Sequence, residues 1–249
     1  MWLTVAVLLV SAVVGLTWWK KSGANKVASL SAPSAPTNPP PHPAPAATNA
    51  FDMAKFSGWL TNESNLDELL GAGTRLLEEG RAGLAFLCFS RVTDLKPEHE
   101  EAWFNLGAAL VRLCELPEAE YAYRRAISNF TEYAEARNNL GNLLTRQKRY
   151  AEATEQFNAV LAQTPDNATA HNNLGRALAE QGQALAALER FTEAARLDTN
   201  YLEARFNLGA AHLTMGQTNE AVSAFRETLR LRPDFPPALQ ALAKLRRQP

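Results

Sequence analysis

From Leu66 onward the chain matches itself at a period of 34 residues, and a sequence with that periodicity buries a core only by stacking copies of one small unit. Five copies run without a gap or an insertion: 66–99, 100–133, 134–167, 168–201 and 202–235. The eighth position holds Gly73, Gly107, Gly141, Gly175 and Gly209. The twentieth holds Ala85, Ala119, Ala153, Ala187 and Ala221, and the twenty-fourth Phe89, Tyr123, Phe157, Phe191 and Phe225. In each copy two apolar stretches of helical spacing, near positions 1–14 and 17–30, flank a short polar turn, which predicts an antiparallel helix pair. Gly at eight and Ala at twenty should face each other, since their missing side chains let two backbones approach. The aromatic at twenty-four then fills the space beside them. Gly80, Gly182 and Gly216 at position fifteen suit a left-handed residue ending the first helix, and Pro97, Pro165 and Pro233 at position thirty-two stop the second.

Together with Trp103 at position four of the second copy, this pattern resembles the tetratricopeptide repeat (TPR) over residues 66–235. The resemblance implies an all-α fold, a right-handed α-solenoid of five helix pairs. Residues 236–249 resume a sixth first helix (Leu239, Leu242, Leu245) ending in Lys244, Arg246 and Arg247, and read as a capping helix with a soluble outer face. The departures are local: Thr131 and Thr199 replace the proline, Val160 and Thr228 replace the usual alanine at position twenty-seven, and Trp or Tyr is mostly absent at position four.

The residues before the repeats form three zones. Residues 2–19 carry no charge and as a helix would be roughly 27 Å long, about one hydrocarbon thickness. Trp18 and Trp19 followed by Lys20 and Lys21 would mark an aromatic belt and a cationic anchor, so residues 1–21 read as a transmembrane anchor. A cleaved signal sequence is the competing reading, although the charges follow the apolar run instead of preceding it. Residues 22–50, rich in Pro, Ala, Ser, Thr and Asn, read as a semi-stiff linker, and 51–65 as a short helix against the first repeat. Lys20, Lys21 and Lys26 after the span place the repeats in the cytoplasm, export after signal cleavage being the alternative.

Lys+Arg (25) and Asp+Glu (26) nearly cancel, so no overall field would draw in nucleic acid. Cys88 and Cys114 fit neither a zinc site nor a disulfide framework; Cys114 stands at the turn position and Cys88 beside Phe89. His171 and His212 fall at repeat positions four and eleven, His99 at a junction and His42 in the linker, none with a metal partner four residues on. The glycines are spaced by 34 rather than clustered into a phosphate loop, and no nucleophile has a matching base. No catalytic residue, cofactor, metal or small-molecule substrate is expected, and the chain is not expected to be an enzyme. Sequons at Asn62, Asn129 and Asn167 would matter only in a secretory lumen.

Binding is expected on the inner face. Asn105, Asn139, Asn173 and Asn207 recur at position six, and a primary amide can pair with both polar groups of a peptide backbone. The row is similar to the asparagine ladder in the repeat region of O-linked N-acetylglucosamine transferase. In the competing reading these amides join neighbouring repeats. Asn138, Asn142, Asn172 and Arg176 add polarity in the middle of the array, while Leu70, Phe104 and Phe206 offer apolar anchors towards its ends. Glu101, Glu135 and Glu203 stand at position two, where chaperone-binding TPR proteins place clamp lysines, which argues against a chaperone-tail receptor. The expectation is a membrane-tethered adaptor that holds other proteins or extended peptides in its groove. The alternatives are a structural subunit with a permanent convex-face interface and an accessory subunit of an enzyme.

Overall fold

The computed structural model describes residues 66–246, which form eleven α-helices. They pair as α1 (Leu66–Glu78) with α2 (Ala82–Leu95), α3 (Glu100–Arg112) with α4 (Leu116–Asn129), and α5 (Ala134–Arg146) with α6 (Tyr150–Gln163). The remaining pairs are α7 (Ala168–Glu180) with α8 (Ala184–Leu197) and α9 (Leu202–Thr214) with α10 (Thr218–Leu231), followed by α11 (Pro236–Leu245). Each helix packs on its predecessor, and first helices of successive repeats also meet at α1–α3, α5–α7 and α7–α9. The odd-numbered helices therefore share one face of an α-solenoid, as the periodicity predicts. The proposed anchor, linker and short helix of residues 1–65 lie outside the described residues, as do 247–249. Among the described residues no helix is long and apolar enough to cross a membrane.

The glycine at position eight is demanded by the aromatic at twenty-four. A Cβ on Gly73, Gly107, Gly141, Gly175 or Gly209 would lie 2.6–2.7 Å from the ring of Phe89, Tyr123, Phe157, Phe191 or Phe225, inside any tolerated contact. The rings are at most 3% exposed and the alanines at position twenty fully buried, so nothing can give way. This refines the sequence-based picture, in which glycine was expected to face alanine: the ring itself lies over the glycine.

Position fifteen adopts the left-handed conformation in all five repeats, with φ of 77° at Gly80, 62° at Cys114, 61° at Lys148, 80° at Gly182 and 75° at Gly216. Each ends its helix in a Schellman turn; in the third repeat Arg149 N–H bonds Leu144 O at 2.9 Å and Lys148 N–H bonds Thr145 O at 3.0 Å. Cys114 and Lys148 hold this conformation despite a Cβ, at a cost of ~1–2 kcal/mol. Cys114 is exposed in its turn, whereas Cys88 is buried and its thiol is pushed up to about 12 by desolvation.

The departures at position four keep one chemistry. Trp103 Nε1 donates to Pro97 O at 2.8 Å, Arg137 Nε to Thr131 O at 3.1 Å and Arg205 Nε to Thr199 O at 2.8 Å; His171 Nε2 lies 2.9 Å from Pro165 O. Every junction between the five repeats is thus latched from position four to the carbonyl of position thirty-two. The acceptor is backbone, so exchanging Pro for Thr there leaves it intact. Leu239 at position four of the cap cannot donate and is 46% exposed, not packed inward as expected. Ala238, Leu242 and Leu245 instead seat α11 against Phe206, Phe225 and Phe235.

Candidate functional site

Two hollows open along the face of the odd-numbered helices. The larger, about 410 Å³, spans α5, α7 and α9 and is lined by Thr145, Arg146, Lys148, Tyr150, Arg176, Glu180, Asn207 and Thr214, among others. Thr145 and Thr214 spend their hydroxyls on Gly141 O (2.8 Å) and Ala210 O (3.0 Å) of their own helices. The cationic groups of Arg146, Lys148 and Arg176 have no ion pair or hydrogen bond among the described residues. Glu180 is the only carboxylate in the lining, so this end of the face carries an excess of unneutralised positive charge.

The smaller hollow, about 260 Å³, lies at the second repeat between Glu100, Glu101, Phe104, Asn105, Phe130 and Tyr133. Ring centroids stand 5.1 Å apart for Phe104–Tyr133 and 6.0 Å for Phe130–Tyr133. Burial, then the carboxylates of Glu101, Glu135 and Glu100, push the Tyr133 phenol up to about 12. A third hollow, about 330 Å³, opens between α6, α7 and α8 and is lined largely by neutral side chains.

The expected groove residues divide between these places. Arg176 and Asn207 meet in the large hollow, Phe104 and Asn105 in the small one. Burial pushes the Tyr123 phenol up to about 12, outweighing Asn139, which favours its ionised form. Asn207 donates to Asn172 Oδ1 at 2.9 Å, and Asn172 donates to Tyr201 Oη at 3.3 Å. Asn172 and Asn173 are buried, Asn138 and Asn142 are half-buried, and Asn138 Oδ1 is buried without a partner. Phe206 is wedged between Phe225 and Phe235, each ring centroid 5.5 Å away, and serves the cap. Sequence reading missed Arg146 at the end of α5, Lys148 in the turn and Tyr150 at the start of α6, which reach the groove only through stacking. Two histidines turn out to be polar fasteners: His99 caps α3 through Nδ1 and Ala102 N–H at 3.3 Å, and His212 Nδ1 lies 2.6 Å from Gln217 Oε1. Asn167 likewise caps α7, accepting from Ala170 N–H at 2.9 Å.

Family models described as tetratricopeptide repeat match residues 70–134 and 178–245, and one described as TPR repeat matches 141–182. None of the curated proteins matches the sequence. Among solved structures, MamA (41-end) from Desulfovibrio magneticus RS-1 is similar at TM-score 0.62 and 20% identity, over 69% of this chain and 97% of that one. PilF of Pseudomonas aeruginosa is similar at TM-score 0.62 and 21% identity, over 67% and 76%. YrrB, described as a TPR protein with an unusual peptide-binding site, is similar at TM-score 0.59 and 18% identity, over 76% and 97%.

Proposed function

Because the chain belongs to the tetratricopeptide-repeat family, we propose that it is a membrane-tethered adaptor that grips an extended segment of a partner protein along the face of its odd-numbered helices. The observation that carries this reading is the large hollow, which spans three consecutive repeats and holds three cationic groups that pair with none of the described residues. Arg146, Lys148 and Arg176 are all exposed, so their charges are available to a ligand. A segment rich in carboxylates matches them through ion pairs, each worth roughly 0.2–1 kcal/mol at an exposed surface, so several must act together. YrrB offers a precedent for peptide binding on this fold. Residues 2–19 supply the tether and the linker holds the repeats away from the bilayer, with the repeats in the cytoplasm.

The amides of position six play a divided part in this reading. Asn207 already joins Asn172 on the neighbouring first helix, so it acts first as a fastener between helices. Asn105 opens onto the small hollow and is the amide best placed to meet a peptide backbone. The test is capture of partners by the full chain extracted from membranes, followed by competition with short peptides derived from the captured proteins. An acidic peptide should release the partner, and Arg146→Ala with Arg176→Ala should weaken capture and flatten its salt dependence. Release by no peptide, with capture unchanged in that variant, would place the interface elsewhere, as a permanent convex-face contact requires.

A further inference from the structure

We propose that the small hollow at the second repeat is a receptor for the guanidinium of an arginine side chain carried by the segment held along the same face. The proposal rests on the groove reading only for where that arginine comes from. Three rings, Phe104, Phe130 and Tyr133, converge there with centroids 5.1 and 6.0 Å apart, and Phe130 is 47% exposed. The rings at position twenty-four are buried against glycine, whereas this trio meets water through Phe130 and is free to receive a ligand. Its chemistry is set by Glu100 and Glu101, whose carboxylates have no ion pair or hydrogen bond among the described residues. An apolar occupant would strip water from both carboxylates and give nothing back. A cation satisfies both features, because ring faces and carboxylates attract the same charge.

Between the two basic side chains, arginine fits better. Its plane stacks on a ring while its edge pairs with a carboxylate, which an ammonium cannot do at once. The two glutamates also stand in the first turn of α3, where they favour the helix dipole. That role accounts for their position but not for the open ring of Phe130 beside them. The large hollow would then hold the acidic part of the segment and the small one an arginine, so opposite charges would fix the direction in which it lies.

The test is a titration of the full chain in detergent micelles with n-propylguanidinium and with n-propylurea, a neutral probe of nearly the same shape, followed by ring and amide NMR shifts. The guanidinium should bind roughly 3- to 30-fold more tightly than the urea, the range expected for a cation over aromatic faces. The preference should fall in Glu100→Gln/Glu101→Gln, which keeps the rings, and also in Phe130→Leu, which keeps apolar bulk without a ring. Equal binding of the two probes would overturn the proposal. So would a lowered melting temperature with the preference intact in the double Gln variant, since the carboxylates would then serve α3 alone. n-Butylammonium binding as tightly as n-propylguanidinium would overturn the choice of arginine. A preference that stands while acidic peptides fail to release any partner sinks the groove reading instead and leaves the receptor in place.

Discussion

The two hollows open on one face of the same scaffold, the smaller at the start of a first helix and the larger mostly at the far ends of first helices, and they differ in almost everything a ligand would meet. At the second repeat, position five is Phe104, the rim is Glu100 and Glu101, and the lining is aromatic. Across the third to fifth repeats the cations are Arg146 at the end of α5, Lys148 in the turn after it and Arg176 within α7. The residues that build the scaffold barely change between these regions: glycine under a ring at position eight, buried alanine at twenty, a left-handed residue at fifteen. Uniform positions carry stability, and the proposed binding falls on the unequal ones, as expected where each repeat contacts only its neighbours.

The largest expected effects test that uniformity. Gly141→Leu and Gly107→Leu should each destabilise by at least ~1–3 kcal/mol, because the new side chain must enter a fully packed ring. Even Gly→Ala should be unfavourable, since the ~1 kcal/mol of helix propensity gained does not remove a 2.6–2.7 Å clash. Chemical denaturation should show equal losses at both sites, and a loss confined to one would break the equivalence.

Alkaline pH should separate the regions. Tyr123 and Cys88 have folded-state values raised to about 12, from 10.0 and 9.0, chiefly by burial. A raised folded value means stability that is complete below the unfolded pKa and lost as pH rises through the folded one. Stability should therefore fall between about pH 9 and 12, by on the order of 2 kcal/mol for Tyr123 once both values are passed. Tyr123→Phe, which copies the other four repeats, should remove that share from urea melts compared at pH 8 and pH 11.5.

The latches come next. His171→Phe removes the bond to Pro165 O, whose residue is exposed and can turn to water, and should destabilise by ~0.5–1.5 kcal/mol, the net worth of one hydrogen bond. Hydrogen exchange in α7 should quicken more than in α3; equal change in both would mean the latch is not local.

The smallest effect compares the two strained turns. Cys114→Gly and Lys148→Gly should each stabilise by ~1 kcal/mol through relief of the positive φ. Only Lys148→Gly should also weaken binding of an acidic peptide, because only Lys148 lines a hollow. Identical binding in the two variants would remove Lys148 from the site.

Much of this fold was legible because repetition averages out local noise: five glycines and five aromatics in register say more than any one segment could. Position four looked like a weakness because it was read by size, as a missing Trp. Read by donor chemistry, Trp103, Arg137, His171 and Arg205 form one series. The site was less legible. Positions five, six and nine were recognised as inward, but Arg146 and Lys148 belong to positions thirteen and fifteen, which only the stacking of three repeats brings beside Arg176 and Asn207. Phe206 was expected as an open anchor, yet Phe235 at position thirty-four covers it, just as Tyr133 packs on Phe104 one end away. The difference lies in α11, which adds Leu242 and Leu245 to the cluster around Phe206.

The central claim, that this face reads an extended segment by opposite charges at its two ends, is met most directly by selecting binders for the full chain from a random peptide library. The account predicts selected peptides with a run of acidic residues and an arginine at a constant spacing on one side of it, and loss of the acidic run when Arg146 and Arg176 are both changed to Glu. Selected peptides with no ordered charge, or the same peptides recovered by that variant, would contradict it.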